Sequence, residues 1–258
     1  MHKNEQLNMT AGSAADSKKI YIGLPNRFSG GELKIEIRKM LHHVKSDFQE
    51  ITFVDTQEFG RCMIIDGIMQ TAEKDHHLYD QEILKKMKDT DRNILVLGGG
   101  DGYVAELALK SNPNVTVRLV EIDMEVIAGC KKYLDQKVFT DKRLELIIGD
   151  AFAYLEREGI ENSFDGIVCD FTGEPITEDQ RAEFEEFFTN VLNLSRKALK
   201  SGGWMALQAG DSKVEEKYVD GSRILQGLAE KELKNVERSD IMIASYGEDD
   251  SFLFGEKE

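Results

Sequence analysis

The chain has 258 residues, 41% of them hydrophobic, and its 33 basic against 48 acidic side chains leave a formal charge of −15. That length allows one sizeable core with room for a small accessory domain. So acidic a balance argues against nucleic acid or an anionic membrane as the main partner and suits a cationic small molecule, and no apolar run reaches membrane-spanning length.

Residues 1–18 read as a disordered tail, polar and without the apolar core of a signal peptide, so the protein is expected in the cytoplasm. A small antiparallel β domain is expected over 19–72. Residues 33–37, 50–54 and 61–65 carry β-type apolar spacing, and Asp66-Gly67 ahead of Ile68 is a hairpin signal. From 73 to 258 the pattern is that of a doubly wound, mostly parallel α/β sheet. A helical stretch over 74–88 precedes strands at 94–97, 117–120, 144–148, 166–169 and 204–208, with helices at 104–110, 124–134 and 183–200 between them. Ser201-Gly202-Gly203 reads as a helix C-cap and turn, and 241–254 as an antiparallel hairpin closing the sheet edge. Cys62, Cys130 and Cys169 are odd in number and widely spaced, which fits packed thiols. The doublets His42-His43 and His76-His77 lie far from any cysteine pair and read as surface or rim residues, so no metal site is expected.

The most informative stretch is the buried run Ile94 to Leu97 followed by Gly98-Gly99-Gly100-Asp101-Gly102. Glycines there let the backbone approach a ligand at the start of the next helix. Glu121, about 20 positions further on at the end of the neighbouring strand, is placed to accept from ribose hydroxyls. Asp101 within the turn would repel a pyrophosphate and attract a sulfonium, which favours an adenosyl-sulfonium ligand over a dinucleotide. Asp150 and Asp170 also follow predicted strands, and doubly wound topology brings such ends to one crevice. Their mutual repulsion would raise their pKa values unless a cation binds among them. Each could instead simply cap the following helix. Gly149-Asp150-Ala151-Phe152 has the form in which the aspartate takes an adenine amino group and the next backbone N–H a ring nitrogen. The acidic loop Asp170-Phe171-Thr172-Gly173-Glu174-Pro175 would lie over the reacting end, with Tyr79 and Asp80 adding polar groups from the β-domain side.

From about Gln49 onward these features resemble those of the polyamine aminopropyltransferases, the spermidine and spermine synthases. The resemblance rests on Phe59-Gly60, Ile65-Asp66-Gly67 with Gln70 and Glu73, Asp75 to Tyr79, the glycine loop, Glu121-Ile122-Asp123, Gly149-Asp150, Asp170 with Pro175, and Gln208-Ala209-Gly210. It implies a Rossmann-like, class I methyltransferase-like catalytic domain and, as co-substrate, decarboxylated S-adenosylmethionine with no further cofactor. By it Gln49, Gly98, Gly100, Asp101, Glu121, Asp150 and Ala151 would contact the donor, Glu121 at the ribose, Asp150 at the adenine and Asp101 at the aminopropyl ammonium. Asp170 would be catalytic, taking the proton of the attacking amine. The acceptor would meet Tyr79, Asp80, Asp101, Asp170, Glu174, Tyr246 and Glu248. Three departures bear on the acceptor: Asp170-Phe171-Thr172 is closer to the spermine-synthase form than to Asp-Ser-Ser-Asp, Asp80 stands where Gln or His is usual, and Tyr103 replaces a Gly. They leave the acceptor open, and Phe171-Thr172-Gly173-Glu174 together with the carboxylates of Asp80 and Glu248 tilts it from putrescine towards spermidine. A methyltransferase and a non-catalytic polyamine-binding protein on the same fold are the competing readings. Free edges of the β domain make a homodimer the expected assembly.

Overall fold

The computed structural model describes residues 8–11, 19–25, 32–171, 176–211, 214 and 216–258. Its first six strands, β1 (Asn8–Ala11), β2 (Ile20–Pro25), β3 (Glu32–Lys45), β4 (Glu50–Thr56), β5 (Gly60–Ile65) and β6 (Ile68–Ala72), form one antiparallel sheet in chain order. Asn8–Ala11, which composition places in the disordered tail, pairs with Ile20–Gly23. Backbone pairing orders a segment whose side chains carry little apolar signal; the rest of 1–18 lies outside the described residues. Along β4 and β5 successive side chains face opposite ways, as a strand requires. Val54, Cys62 and Ile64 join one apolar cluster with Ile22 and Ile35. Phe53, Met63 and Ile65 join another with Tyr103, Val126 and Cys130, which locks this sheet to the rest of the chain.

After α1 (His76–Ile83) strands and helices alternate: β7 (Asn93–Gly98), α2 (Tyr103–Ser111), β8 (Thr116–Glu121), α3 (Met124–Tyr133), β9 (Leu144–Ile148), α4 (Ala151–Leu155), β10 (Phe164–Asp170), α5 (Arg181–Ala198), β11 (Leu199–Asp211), α6 (Gly221–Glu232), β12 (Lys234–Ile243) and β13 (Glu248–Glu256). The second sheet has the order β12-β13-β11-β10-β7-β8-β9. Strands β11, β10, β7, β8 and β9 run parallel, and the last hairpin is antiparallel. This is the doubly wound sheet that the alternation predicts. The unbroken apolar run of β7 reflects burial on both faces. Ile94 and Val96 pack on one side with Val104 and Ala108 of α2, and Leu95 and Leu97 on the other with Val191 and Leu192 of α5. Each such side chain contributes about 1.5–3 kcal/mol by leaving water.

Three local expectations differ from the structure. Helix α5 ends at Ala198, and Ser201-Gly202-Gly203 lies inside β11 and does not form a C-cap. The Gly202 N–H donates to the Lys257 carbonyl and the Gly203 carbonyl accepts the Lys257 N–H, so the C-terminal segment extends the ladder there. Helix α1 stops at Ile83, short of the expected 88. Strand β12 starts at Lys234, ahead of the expected 241, because its side chains ahead of Ile243 are exposed or half-buried and leave a faint apolar pattern. Helix α6, anchored by buried Leu225 and Ala229, had no counterpart in the sequence reading. All three cysteines are buried free thiols, and no helix among the described residues is long and apolar enough to cross a membrane.

Candidate active site

Gly98 at the end of β7 is the register partner of Asp170 at the end of β10. The strand order reverses here, with β8 and β9 to one side and β10 and β11 to the other. A crevice is expected outside the carboxyl ends at such a switch point, and a cleft of about 360 Å3 opens there, closed from the other side by residues of β5 and β6. Gln49, Gly98, Gly100, Glu121, Asp150 and Ala151 line it. So do Tyr79, Asp80, Asp101, Asp170, Tyr246 and Glu248. Glu174 lies outside the described residues.

The glycine loop owes its composition to what surrounds it. Gly98 has φ +80°, and a Cβ on it would lie 2.1 Å from the Asp170 carbonyl oxygen. A Cβ on Gly100 would lie 2.5 Å from Glu121 Oε2. Glu121 uses its other oxygen to accept the Asp123 N–H at 2.9 Å. Asp123 in turn caps α3 through the Glu125 N–H and accepts from Ser46 Oγ at 2.6 Å and Gln49 Nε2 at 3.0 Å. Gln49 is thereby carried into the cleft by the antiparallel sheet. The turn-or-cap alternative is realised as well: Asp101 Oδ1 accepts the Tyr103 N–H at 3.0 Å in the turn before α2, and Asp150 caps α4 by accepting that of Ala153 at 2.8 Å. A carboxylate has two oxygens, so turn duty and ligand binding are compatible in one residue.

Asp170 Oδ1 accepts a hydrogen bond from the Tyr79 hydroxyl. The Tyr79 ring is held by Phe252 at 5.0 Å between centroids. Burial pushes the Asp170 carboxyl up to about 6, opposed by the Tyr79 hydrogen bond and aided by the charge of Asp80. Burial raises Glu121 to about 7. It also raises Asp101 well above the carboxylate range, with Asp80 and Asp170 adding repulsion. Burial, and not the mutual repulsion expected from the sequence, is the larger cause of these shifts, and repulsion adds to it. No lysine or arginine lies among the described residues that line the cleft, so a cationic ligand bound there would favour the ionised form of these carboxylates over the protonated one.

Sequence reasoning missed Asp211 and Asp250. They are register partners across β11 and β13, and burial carries them up to about 10 and about 8 respectively. Asp211 ends its strand just as Asp170 does, so the strand-end rule would have found it had β11 been drawn to its full length. Asp250 has no local signal; only antiparallel pairing brings it in. Also missed was Phe187, which with Phe152 and Phe171 walls the cleft at centroid distances of 5.1 and 5.9 Å. The spacing of Phe184, Phe187 and Phe188 on one helix face was a readable sign. The Tyr246 hydroxyl donates to the Gln70 carbonyl at 2.7 Å, so it ties the C-terminal hairpin to β6 as well as facing the cleft.

Residues 82–249 match the spermine/spermidine synthase domain, and residues 26–73 match the spermidine synthase tetramerisation domain. A polyamine aminopropyltransferase of Moorella thermoacetica is 32% identical over 209 residues, covering 79% of this chain and 69% of that protein. A thermospermine synthase of Arabidopsis thaliana is 32% identical over 181 residues, covering 67% of this chain and 52% of that protein. The crystal structure of spermidine synthase from Thermotoga maritima superimposes with a TM-score of 0.78 at 22% identity, over 100% of this chain and 84% of the other. That last likeness concerns the fold.

Proposed function

Since the chain belongs to the spermine/spermidine synthase family, we propose that it transfers the aminopropyl group of decarboxylated S-adenosylmethionine to an amine of a polyamine, releasing 5′-methylthioadenosine. The observation that carries this reading is the group of buried carboxylates around the glycine loop, Asp170 among them, with no lysine or arginine among the described residues that line the cleft. In the reaction the amine nitrogen bonds to the methylene next to sulfur. The carbon–sulfur bond breaks, its electron pair stays on sulfur as a neutral thioether, and the amine proton passes to Asp170. A protonated amine has no lone pair, so it gives up one proton to the carboxylate before its nitrogen attacks. Asp101 faces the ammonium of the donor, Glu121 its ribose and Asp150 with the Ala151 N–H its adenine, while Gln49 closes on the donor from the other sheet. Holding amine and methylene in line supplies much of the remaining rate. Self-association is supported by the match of residues 26–73 to a tetramerisation domain, with the dimer expected from free strand edges as its smallest unit.

For the acceptor, spermidine is slightly favoured over putrescine, because Asp80 and Glu248 add carboxylates and each further ammonium needs an anionic partner once it leaves water. The test is methylthioadenosine release with the decarboxylated donor and a panel of amines. The expected result is turnover with a higher kcat/KM for spermidine than for putrescine, reduced towards parity in Asp80→Ala and Glu248→Ala. Methylated product from S-adenosylmethionine, with the decarboxylated donor inert, would instead establish a methyltransferase. A clear preference for putrescine that neither substitution alters would make the acceptor putrescine.

A pH dependence follows from the same site. Asp170 works in its ionised form, so acceptor kcat/KM should fall by roughly tenfold per unit as pH drops below about 6. The Tyr79 hydrogen bond lowers that value, so Tyr79→Phe should move the acid limb to higher pH. Titration of the amine itself would leave the limb where it was, and a limb unmoved by Tyr79→Phe would remove Asp170 as its source.

A further inference from the structure

We propose that His76 is a positioning residue for the acceptor amine, acting through Asp80 and braced by Tyr103. The inference rests on the aminopropyltransferase reading above and concerns two residues, His76 and Tyr103, which that reading leaves without a role. Asp80 and Tyr103 are two of the positions where the chain departs from the family pattern, and in the structure they are joined by one side chain. His76 Nδ1 lies 2.6 Å from Asp80 Oδ2, one helical turn apart on α1. The other face of the imidazole is stacked on Tyr103, with centroids 3.7 Å apart and planes 16° from parallel. Tyr103 is itself buried among Phe53's neighbours at the junction of the two sheets, in the apolar cluster with Met63, Val126 and Cys130. The chain of support thus runs from the junction through Tyr103 and His76 to a carboxylate that is 4% exposed and lines the cleft.

Asp80 needs this support for a physical reason. A carboxylate that deep, near Asp101 and Asp170, gains by taking a proton, and burial does raise its pKa; the His76 hydrogen bond is the largest effect opposing that rise. A donor fixed on one carboxylate oxygen keeps the group charged and fixes its rotamer, so the remaining oxygen is presented to a ligand in one orientation. The ring could not hold that orientation if it rotated freely, and the stack on Tyr103 restrains it. A Gly at 103 would leave the ring unsupported, which explains why the two departures occur together. The group served by Asp80 is a second ammonium of the acceptor, since the attacking amine is served by Asp170.

The experiment measures kcat and KM for spermidine and for the decarboxylated donor, in full-length protein, for His76→Ala, His76→Asn, Asp80→Asn and the His76→Ala/Asp80→Asn double variant. Loss of a charge-assisted hydrogen bond is expected to raise the spermidine KM of His76→Ala about tenfold or more, with donor KM and kcat changed far less. His76→Asn, whose amide can donate in place of Nδ1, should recover much of the loss. The double variant should be no worse than Asp80→Asn alone, because His76 acts only through that carboxylate. A parallel rise in donor KM, an asparagine no better than alanine, or full additivity would each overturn the proposal. If His76→Ala folds poorly, Tyr103→Leu is expected to raise the spermidine KM in the wild-type background and not in Asp80→Asn, and a rise in both overturns it. Calorimetric titration of spermidine reads the same differences without turnover. A wild type that releases no methylthioadenosine with any amine refutes the functional reading, while the calorimetric comparison still decides the role of His76.

Discussion

Asp170→Asn is expected to lower turnover by about 10²–10⁴-fold, the usual contribution of a positioned general base, while donor affinity stays nearly unchanged. The asparagine is isosteric and its amide oxygen can still accept the Tyr79 hydroxyl, so the Asp170–Tyr79 contact and the pairing of β10 with β7 persist. It cannot accept a proton from the attacking amine, and it no longer attracts the ammonium. Glu121→Gln should show the reverse. Its carboxylate sits beside Gly100 on the donor side, with one oxygen held by the Asp123 N–H. Loss of the charge-assisted hydrogen bonds to ribose hydroxyls should weaken donor binding by about 10–100-fold with a smaller effect on the saturated rate. Donor affinities from calorimetry, set beside single-turnover rates, separate the two. A fully active Asp170→Asn protein would remove Asp170 from the mechanism.

Gly98→Ala is expected to damage stability and activity together. The residue sits at φ +80°, and its Cβ would stand 2.1 Å from a backbone oxygen that has no rotamer by which to move away. Strain of that conformation costs about 1–3 kcal/mol, and separating the ends of β7 and β10 to relieve the overlap adds about as much. In a chain of this size that amounts to a fall in melting temperature on the order of 5–15 °C. Because the oxygen belongs to Asp170, the separation also moves the proposed base. Gly227 is the control: it lies within α6 with nothing inside 4 Å of a built Cβ, so Gly227→Ala should raise stability by up to about 1 kcal/mol. Thermal or urea denaturation of the two variants checks both signs, and a Gly98→Ala protein as stable as the wild type would contradict this reading of the loop.

The parallel half of the fold was legible because burial on both faces of β7 and β8 writes itself as apolar runs, and because glycines and acids fall at strand ends where the topology converges. What stayed hidden depended on partners distant in sequence. Nothing local marks Asp250, which enters the cleft through its antiparallel pairing opposite Asp211. The ordering of Asn8–Ala11 comes from the strand beside it. His76 read as a rim histidine, since the residues that give it a function, Asp80 below it and Tyr103 against its face, are recognisable only once α1 and α2 are packed. The end of α5 was misjudged for a similar reason: Gly202 and Gly203 look like a helix stop until Lys257 is seen to pair with them.

The contacts that assemble the cleft span long stretches of chain: 77 residues between Ser46 and Asp123, 91 between Tyr79 and Asp170, and 176 between Gln70 and Tyr246. Closing such loops is entropically costly and is repaid only when both sheets are already in place, so these contacts should be among the last to form. During refolding from urea, helix and strand signals should therefore recover ahead of polyamine binding. A nascent chain that has emerged only as far as β11 would possess the glycine loop and Asp170 while still lacking Tyr246, Glu248 and Asp250. The order of synthesis thus leaves Tyr246, Glu248 and Asp250 of the cleft wall to the final hairpin, while Tyr79, Asp80, the glycine loop and Asp170 are laid down before it.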